Sequence, residues 1–504
     1  MGFLSAGGLW ASLFRARISP IVETDEVLPL TLIDNIAAAR NAILSEVIRF
    51  DQVLDVVKLR DGLTELIDKR GWRKLGGRLR LRPNGSLEIH VPREFTEERP
   101  AFRFTSQAFD IAIEEHALGS QLPKLSDGPS LQPGSTSVDK FNLIPDKPEK
   151  LDDYVYSDRP ILALHVTSFT NSCIVTLTWS HVVFGARGIK ELIAAWSKVL
   201  HGEQNVPLLL GTHQDVLAGI GTDGDKTAPF LLDPIKIKGL GLVRIIFGLL
   251  WEIWQHPTVE TRALHLPKRF VSQLRQKCME ELGAFCREDP APFISEGDVL
   301  EAWCSRFVAQ ARADEKPALV TNALDIKDRL TAPWSSRGEY LQNTGCCTWT
   351  PVQPETLLRS PLGELAYVIR RSIQELATDD QLRAQLRIFR SLGHTKMLPL
   401  FGNPNSRVIS FSNWTKFNLF EVTNLGPAVI STSPSTRSDA STSPIGRPVY
   451  MHCEAAGDSR MLRNCFNVTG KDWDGSYWIT AHLYPEDWTK LEEYMRQTQQ
   501  HISD

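Results

Sequence analysis

The chain has 504 residues, with 56 Lys and Arg against 60 Asp and Glu, a formal net charge of -4, 42% hydrophobic and 23% charged residues. This is soluble globular composition, enough for about three domains of roughly 150 residues each or for two larger ones, with a core that needs no disulfide or metal. The near-neutral balance, without a basic block, excludes nucleic acid as the main partner. Eight cysteines stand at 173, 278, 286, 304, 346, 347, 453 and 465. None forms a CxxC pair and none has zinc-ligand spacing, so they read as free thiols of a reducing, cytoplasmic compartment, with no metal site.

In chain order, residues 1–24 read as a flexible leader. They begin MGFLSAGGLWASLFRAR, which lacks the early basic residues of a signal peptide, and Ala6 breaks the myristoylation pattern. A first domain is expected over 25–204. PLTLID (29–34) introduces an amphipathic stretch from about Asn35 to Phe50 that reads as a first helix, and 51–74 read as a second. GGRLRLRPNGSLEIHVP (76–92) reads as two strands about Pro83-Asn84-Gly85, and the Pro, Ser, Gly and Asp of 120–150 as a surface loop. ILALHVTSF (161–169) and CIVTLTWSH (173–181) predict a hairpin, followed by a helix over 188–200 with Ile189, Leu192, Ile193 and Trp196 on one face.

Residues 205–235 read as a linker or crossover to a second domain over 236–504. GLGLVRIIFGLLWEIW (239–254) is short for a bilayer and carries Arg244 and Glu252. It reads as a buried helix, with contact to a membrane surface as the alternative for this segment and for the leader alike, and no stable membrane insertion is expected. FISEGDVLEAWCSRFVAQAR (293–312) predicts a helix with Ser295 and Asp298 as a capping pair. Strands are expected over 318–326 and 477–484, a mobile loop over 431–444 and a closing helix over 485–497. No internal repeat is visible, although both halves mix strands with flanking helices.

Most of the twelve histidines have ordinary surroundings. His165, His265 and His482 alternate within strands, where a histidine usually packs. His181 differs, because it ends an apolar strand and precedes VVFGARG, a turn into a helix. Such a position presents a side chain at an edge where clefts form, and imidazole, with a pKa near 6.5, accepts protons at neutral pH with little tuning.

Six landmarks in order resemble the BAHD acyltransferase family, particularly its fungal secondary-metabolism branch. They are PLTLID (29–34), LGGRLRLRPNG (75–85), TWSHVVFGARG (178–188), FISEGDVLEAW (293–303), NALDIKDRLTAPW (322–334) with Tyr340 and Asn343 behind it, and FSNWTKFNLFEVTNLG (411–426). The resemblance implies an α/β fold of two similar chloramphenicol-acetyltransferase-like domains, each a mixed sheet with flanking helices, with a channel between them. It also implies a monomer with no bound cofactor, acyl-CoA as co-substrate, and a small hydrophobic acceptor deprotonated by His181. Ser412 and Trp414, matching the family's S-S-W, are expected to line the channel against substrate.

The departures are specific. Gly185 replaces the Asp of H-x-x-x-D-G, and Lys327 replaces the Arg that would pair with it. Gly185 is therefore expected to face away from the channel, with Lys327 nearby and seeking Asp325, Asp328 or solvent. TNLG (423–426) stands where D-F-G-x-G belongs. Three readings follow: an acyl-CoA-dependent acyltransferase acting on a hydroxyl or amine of a natural product; a repurposed relative running a CoA-independent cyclisation, condensation, elimination or pericyclic step in the same channel; and a non-catalytic binding protein on this fold.

Overall fold

The computed structural model describes residues 19–503 apart from 70, 133–139, 142–143, 223, 226–227, 286–291, 313, 332–333, 335–337, 393–396, 433–442 and 457–461. Most of the leader and most of the 431–444 loop thus lie outside the described residues. Two large mixed sheets are built from twelve strands: β1 (Ile43–Phe50), β2 (Arg103–Ala108), β3 (Ser130–Gln132), β4 (Leu162–Ser168), β5 (Cys173–Ser180), β6 (Glu260–Leu266), β7 (Ala318–Asp325), β8 (Gly345–Val352), β9 (Arg407–Asn413), β10 (Tyr450–Ala456), β11 (Cys465–Lys471) and β12 (Tyr477–Leu483). One sheet has the order β10-β1-β5-β4-β2, the other β8-β7-β9-β11-β12-β6-β3. Each takes one edge strand from the opposite half of the chain: β10 joins the first sheet, and β3, inside the stretch expected to be only a loop, joins the second.

Eight helices of eight or more residues are described: α1 (Val56–Asp68), α2 (Ala186–Leu200), α3 (Leu240–Gln255), α4 (Lys268–Phe285), α5 (Glu296–Arg312), α6 (Leu362–Leu376), α7 (Asp379–Leu392) and α8 (Asp487–Ser503). The apolar stripe of α2 (Ile189, Leu192, Ile193, Trp196) shares one core with Leu59 and Leu63 of α1 and with Val175, Leu177 and Trp179 of β5. Alternate β5 residues Thr176 and Thr178 belong to the opposite, polar face, as a period of two requires, and Thr178 meets Ser45 across the β1–β5 ladder at 2.9 Å. The two sheets meet where His452 of β10 contacts Thr480 of β12 at 2.9 Å and Tyr450 stands edge-on to Trp478.

Two expectations are corrected here. Residues 35–50 do not form a helix: a 3-10 turn at Ile33–Asn35 and one helical turn at Ala37–Arg40 lead into β1, all eight residues of which are buried. ILSEVIRF satisfies a helical stripe on paper, but its β-branched residues settle into a strand covered on both faces. The helix over 239–254 does form, as α3, yet none of its residues is buried. The crossover at 205–235 is itself packed: Leu209–Leu210 pairs with Glu339–Tyr340, and Leu217 and Ile220 join a core with Leu382, Leu386 and Phe389 of α7.

Candidate active site

Strand β5 delivers His181. The ladder with β1 runs to Ser180–Ile43, and the His181 N–H extends it by donating to the Ala42 carbonyl at 2.9 Å. The turn beyond is pinned by Trp179, whose indole N–H donates to the Phe184 carbonyl at 2.9 Å while its ring stacks on Phe184. Gly188, in the first turn of α2, lets residue 341 approach: a Cβ there would lie 2.3 Å from the Phe184 Cβ and 2.5 Å from the Leu341 carbonyl oxygen. That close approach carries Asn343 to the histidine.

Asn343 ties three segments together. Its amide donates to the His181 carbonyl at 2.7 Å and to Asp34 Oδ1 at 2.9 Å, and its main-chain N–H reaches the same Asp34 oxygen at 2.8 Å. Asp34 is fixed by Thr31 through its N–H and hydroxyl, at 2.9 and 2.8 Å. Burial raises the Asp34 pKa against the opposing charge of Lys74, itself pushed down to about 8 by burial. The PLTLID landmark thus positions the site. His181 Nδ1 is buried without a formed hydrogen bond among the described residues. Burial lowers the imidazole pKa, offset only in part by the surrounding main chain and Asn343.

A cavity of about 760 Å³ opens beside this histidine. Of the residues expected at the site, His181, Gly185, Asp325, Ser412 and Trp414 line it, and Lys327 does not. The expectation that Gly185 faces away is therefore corrected. A Cβ at 185 would lie 2.8 Å from Asn343 Oδ1 and 3.1 Å from His181 Cε1, so a larger residue would press on the group that holds the histidine. Lys327 takes neither Asp325 nor Asp328 as its ion-pair partner, bonding Glu339 at 3.1 Å instead. Its expected partners belong to Arg187, which sequence reading passed over: the guanidinium grips Asp325 at 2.9 and 3.0 Å and Asp328 at 2.7 Å. Asp325 also accepts from the Lys327 N–H at 2.8 Å and the Thr344 hydroxyl at 2.5 Å. An ion pair thus joins the histidine turn to the end of β7 with its polarity reversed, the cation coming from the α2 side.

Ser412 and Trp414 touch each other, the indole N–H donating to the serine oxygen at 2.9 Å. The Ser412 hydroxyl proton therefore remains available to another acceptor. The TNLG segment packs against α2: the Asn424 N–H donates to Ser197 at 3.1 Å, and the Asn424 side chain accepts from the Gly426 N–H at 3.1 Å. The expected capping pair forms at α5, Ser295 bonding Asp298 at 2.6 and 2.7 Å, and this helix start lines the cavity.

Further round the wall stand Arg329, Arg370, Lys416 and Lys471. Arg370 pairs with Asp298 and Lys471 with Glu296. Arg329 and Lys416 have no ion pair among the described residues, and burial together with neighbouring cations lowers both their pKa values. Distant segments supply these cations, so no local pattern announced them. His165, His265 and His482 sit in strands bonded to Thr105, Ser126 and Thr261, as packed histidines do. No group of metal-ligating side chains occurs among the described residues.

No family model matches the sequence. Acetyltransferase BOT5 of Botryotinia fuckeliana is 36% identical over 497 residues, covering 93% of this chain and 90% of that protein. O-acetyltransferase PaAT-2 of Phomopsis amygdali is 34% identical, covering 94% and 98%. A relative named transcriptional regulator calD, of Penicillium decumbens, is 30% identical over 96% of this chain and 99% of its own. Among solved structures, TRI101 of F. sporotrichioides complexed with coenzyme A and T-2 superposes with a TM-score of 0.65 at 17% identity, covering 93% and 97%. Vinorine synthase superposes at 0.58 and 12% identity, covering 94% of both chains. With acetyltransferase relatives of this identity along nearly its whole length, and the same two-domain fold, the chain belongs to the BAHD acyltransferases, in their fungal branch, and is an enzyme of that kind.

Proposed function

We propose that the protein transfers an acyl group from acyl-CoA to a hydroxyl or amine of a hydrophobic natural product, with His181 as general base. The observation that carries this reading is the pairing, in one cavity, of a desolvated histidine at a strand end with a wall of under-neutralised cations. His181 takes the acceptor proton as the acceptor oxygen or nitrogen attacks the thioester carbonyl. The C–S bond then breaks, and the CoA thiolate recovers the proton from the imidazolium. Ser412, whose oxygen already accepts from Trp414, is oriented to donate to substrate. Arg329 and Lys416, with the start of α5, suit the phosphates of CoA.

CoA dependence is further supported by TRI101, crystallised with coenzyme A. The case for a CoA-independent step rests on the missing Asp at 185 and the eroded TNLG motif, and Arg187–Asp325 and Asn424–Ser197 supply the corresponding links. The seven described cysteines are unpaired, which suits the cytoplasm, and this reading takes the protein as a monomer. Lys416→Met tests the phosphate assignment. We expect KM for acetyl-CoA to rise about tenfold with kcat within about twofold, as for loss of one charged contact. An unchanged KM contradicts it.

A further inference from the structure

Helix α3 presents its apolar side to solvent. Leu240, Val243, Phe247, Leu250, Trp251 and Trp254 recur at helical spacing along one stripe, with Leu240 at 87%, Phe247 at 68% and Trp254 at 72% exposure. Glu252, the only carboxylate on the helix, is turned the other way and bonds the Tyr484 hydroxyl. Both ends are anchored. Lys236 bridges Phe401 and the Ile237 N–H donates to the Leu400 carbonyl at 2.9 Å before the helix; after it, Arg463 donates to the His256 carbonyl at 2.8 Å and His256 stacks on Tyr484. The helix thus rests on the protein by a half-buried side (Ile245, Leu249, Glu252 and Ile253) and leaves a broad apolar side outward, unlike a helix that covers a core.

We propose that α3 is a peripheral docking helix for anionic lipid membranes, lying in the plane of the interface. At 16 residues it is about 24 Å long, and no described helix is long and apolar enough to cross a membrane. Trp251 and Trp254 pack with tilted rings, centroids 4.9 Å apart, at its C-terminal end, the residue type that favours the headgroup boundary. Lys236 and Lys238 precede it and exposed Arg244 lies on it, while Glu252 faces the protein. The outward charge is therefore mainly positive and complements anionic headgroups. A second copy is the weaker occupant, because one helix face offers a few hundred Å² against the roughly 800 Å² per partner of a stable interface. Docking there would hold the acyltransferase at the phase into which hydrophobic acceptors partition. The docking claim itself does not depend on the proposed chemistry.

The test is co-sedimentation of the full chain with phosphatidylcholine vesicles containing 30% phosphatidylserine, beside pure phosphatidylcholine vesicles. Wild type should bind the anionic vesicles, and Phe247→Gln, Trp251→Gln and Trp254→Gln together should lower the partition coefficient by about tenfold or more. Unchanged circular dichroism and unchanged activity on soluble acetyl-CoA would show that the variant is folded, since none of the three lines the cavity. Lys236→Glu with Lys238→Glu should weaken binding to the anionic vesicles alone. No vesicle binding by wild type overturns the proposal. So does equal binding by the triple variant, which would assign it to another segment such as residues 1–18. A concentration-dependent dimer lost in the triple variant without vesicle binding overturns it in favour of a second copy.

Discussion

At the scale of the residue, the proposed chemistry depends on His181 and the groups that hold it. His181→Ala should lower turnover by about 10²–10⁴-fold with the fold intact, the range for loss of a general base; undiminished activity would reduce the histidine to packing. Because burial lowers its pKa, the imidazole stays neutral to below the usual 6.5. The pH profile of kcat/KM should therefore rise through an apparent pKa under 6.5 and be flat above neutrality, and a midpoint at 7 or higher would contradict the assignment. Arg187→Gln and Asp325→Asn should couple by about 1–3 kcal/mol in a double-mutant cycle of unfolding free energy, as touching charged partners do; additive losses would mean the contact contributes nothing. His181 was legible because its strand and turn are local in sequence. Arg187 was not, since matching to a pattern directs attention to the empty acid position at 185 rather than to a cation two residues on.

At the scale of the element, the hinge of the site is the close approach of α2 to residues 340–344. Gly188→Ala must displace Phe184 or the Leu341 carbonyl. It should cost about 1–3 kcal/mol of stability and lower kcat as well, because Asn343 moves with that segment. A variant equally stable and active would show that the approach is loose. The hairpin, α2, α5 with its cap and α8 were all readable, being long segments with one period or clear end signals. The stretch 35–50 was not, because ILSEVIRF fits either period and only its neighbours β5 and β10 decide. Helix α3 shows the complementary limit: apolar composition gives the helix, but which side finds a partner depends on the surface where both ends are pinned.

At the scale of the whole molecule, the two sheets exchange edge strands, β3 one way and β10 the other, and Asp34, Asn343 and Arg187 stitch distant segments across the site. Differential scanning calorimetry should accordingly find one cooperative transition rather than two separable ones; two resolved peaks would mean the exchanged strands do not couple the halves. The six landmarks told the family and put His181 at a strand end, while the cationic wall, gathered from α6, the turn after β7, the turn after β9 and the end of β11, exists only once the chain is folded. The central claim is acyl transfer from CoA by way of His181, and the most direct measurement follows free CoA thiol released from acetyl-CoA with a panel of apolar alcohols and amines, alongside acetylated product. Release should be matched mole for mole by product and lost in His181→Ala. Product formed without thioester consumption, or thiol release that survives the loss of His181, would contradict it.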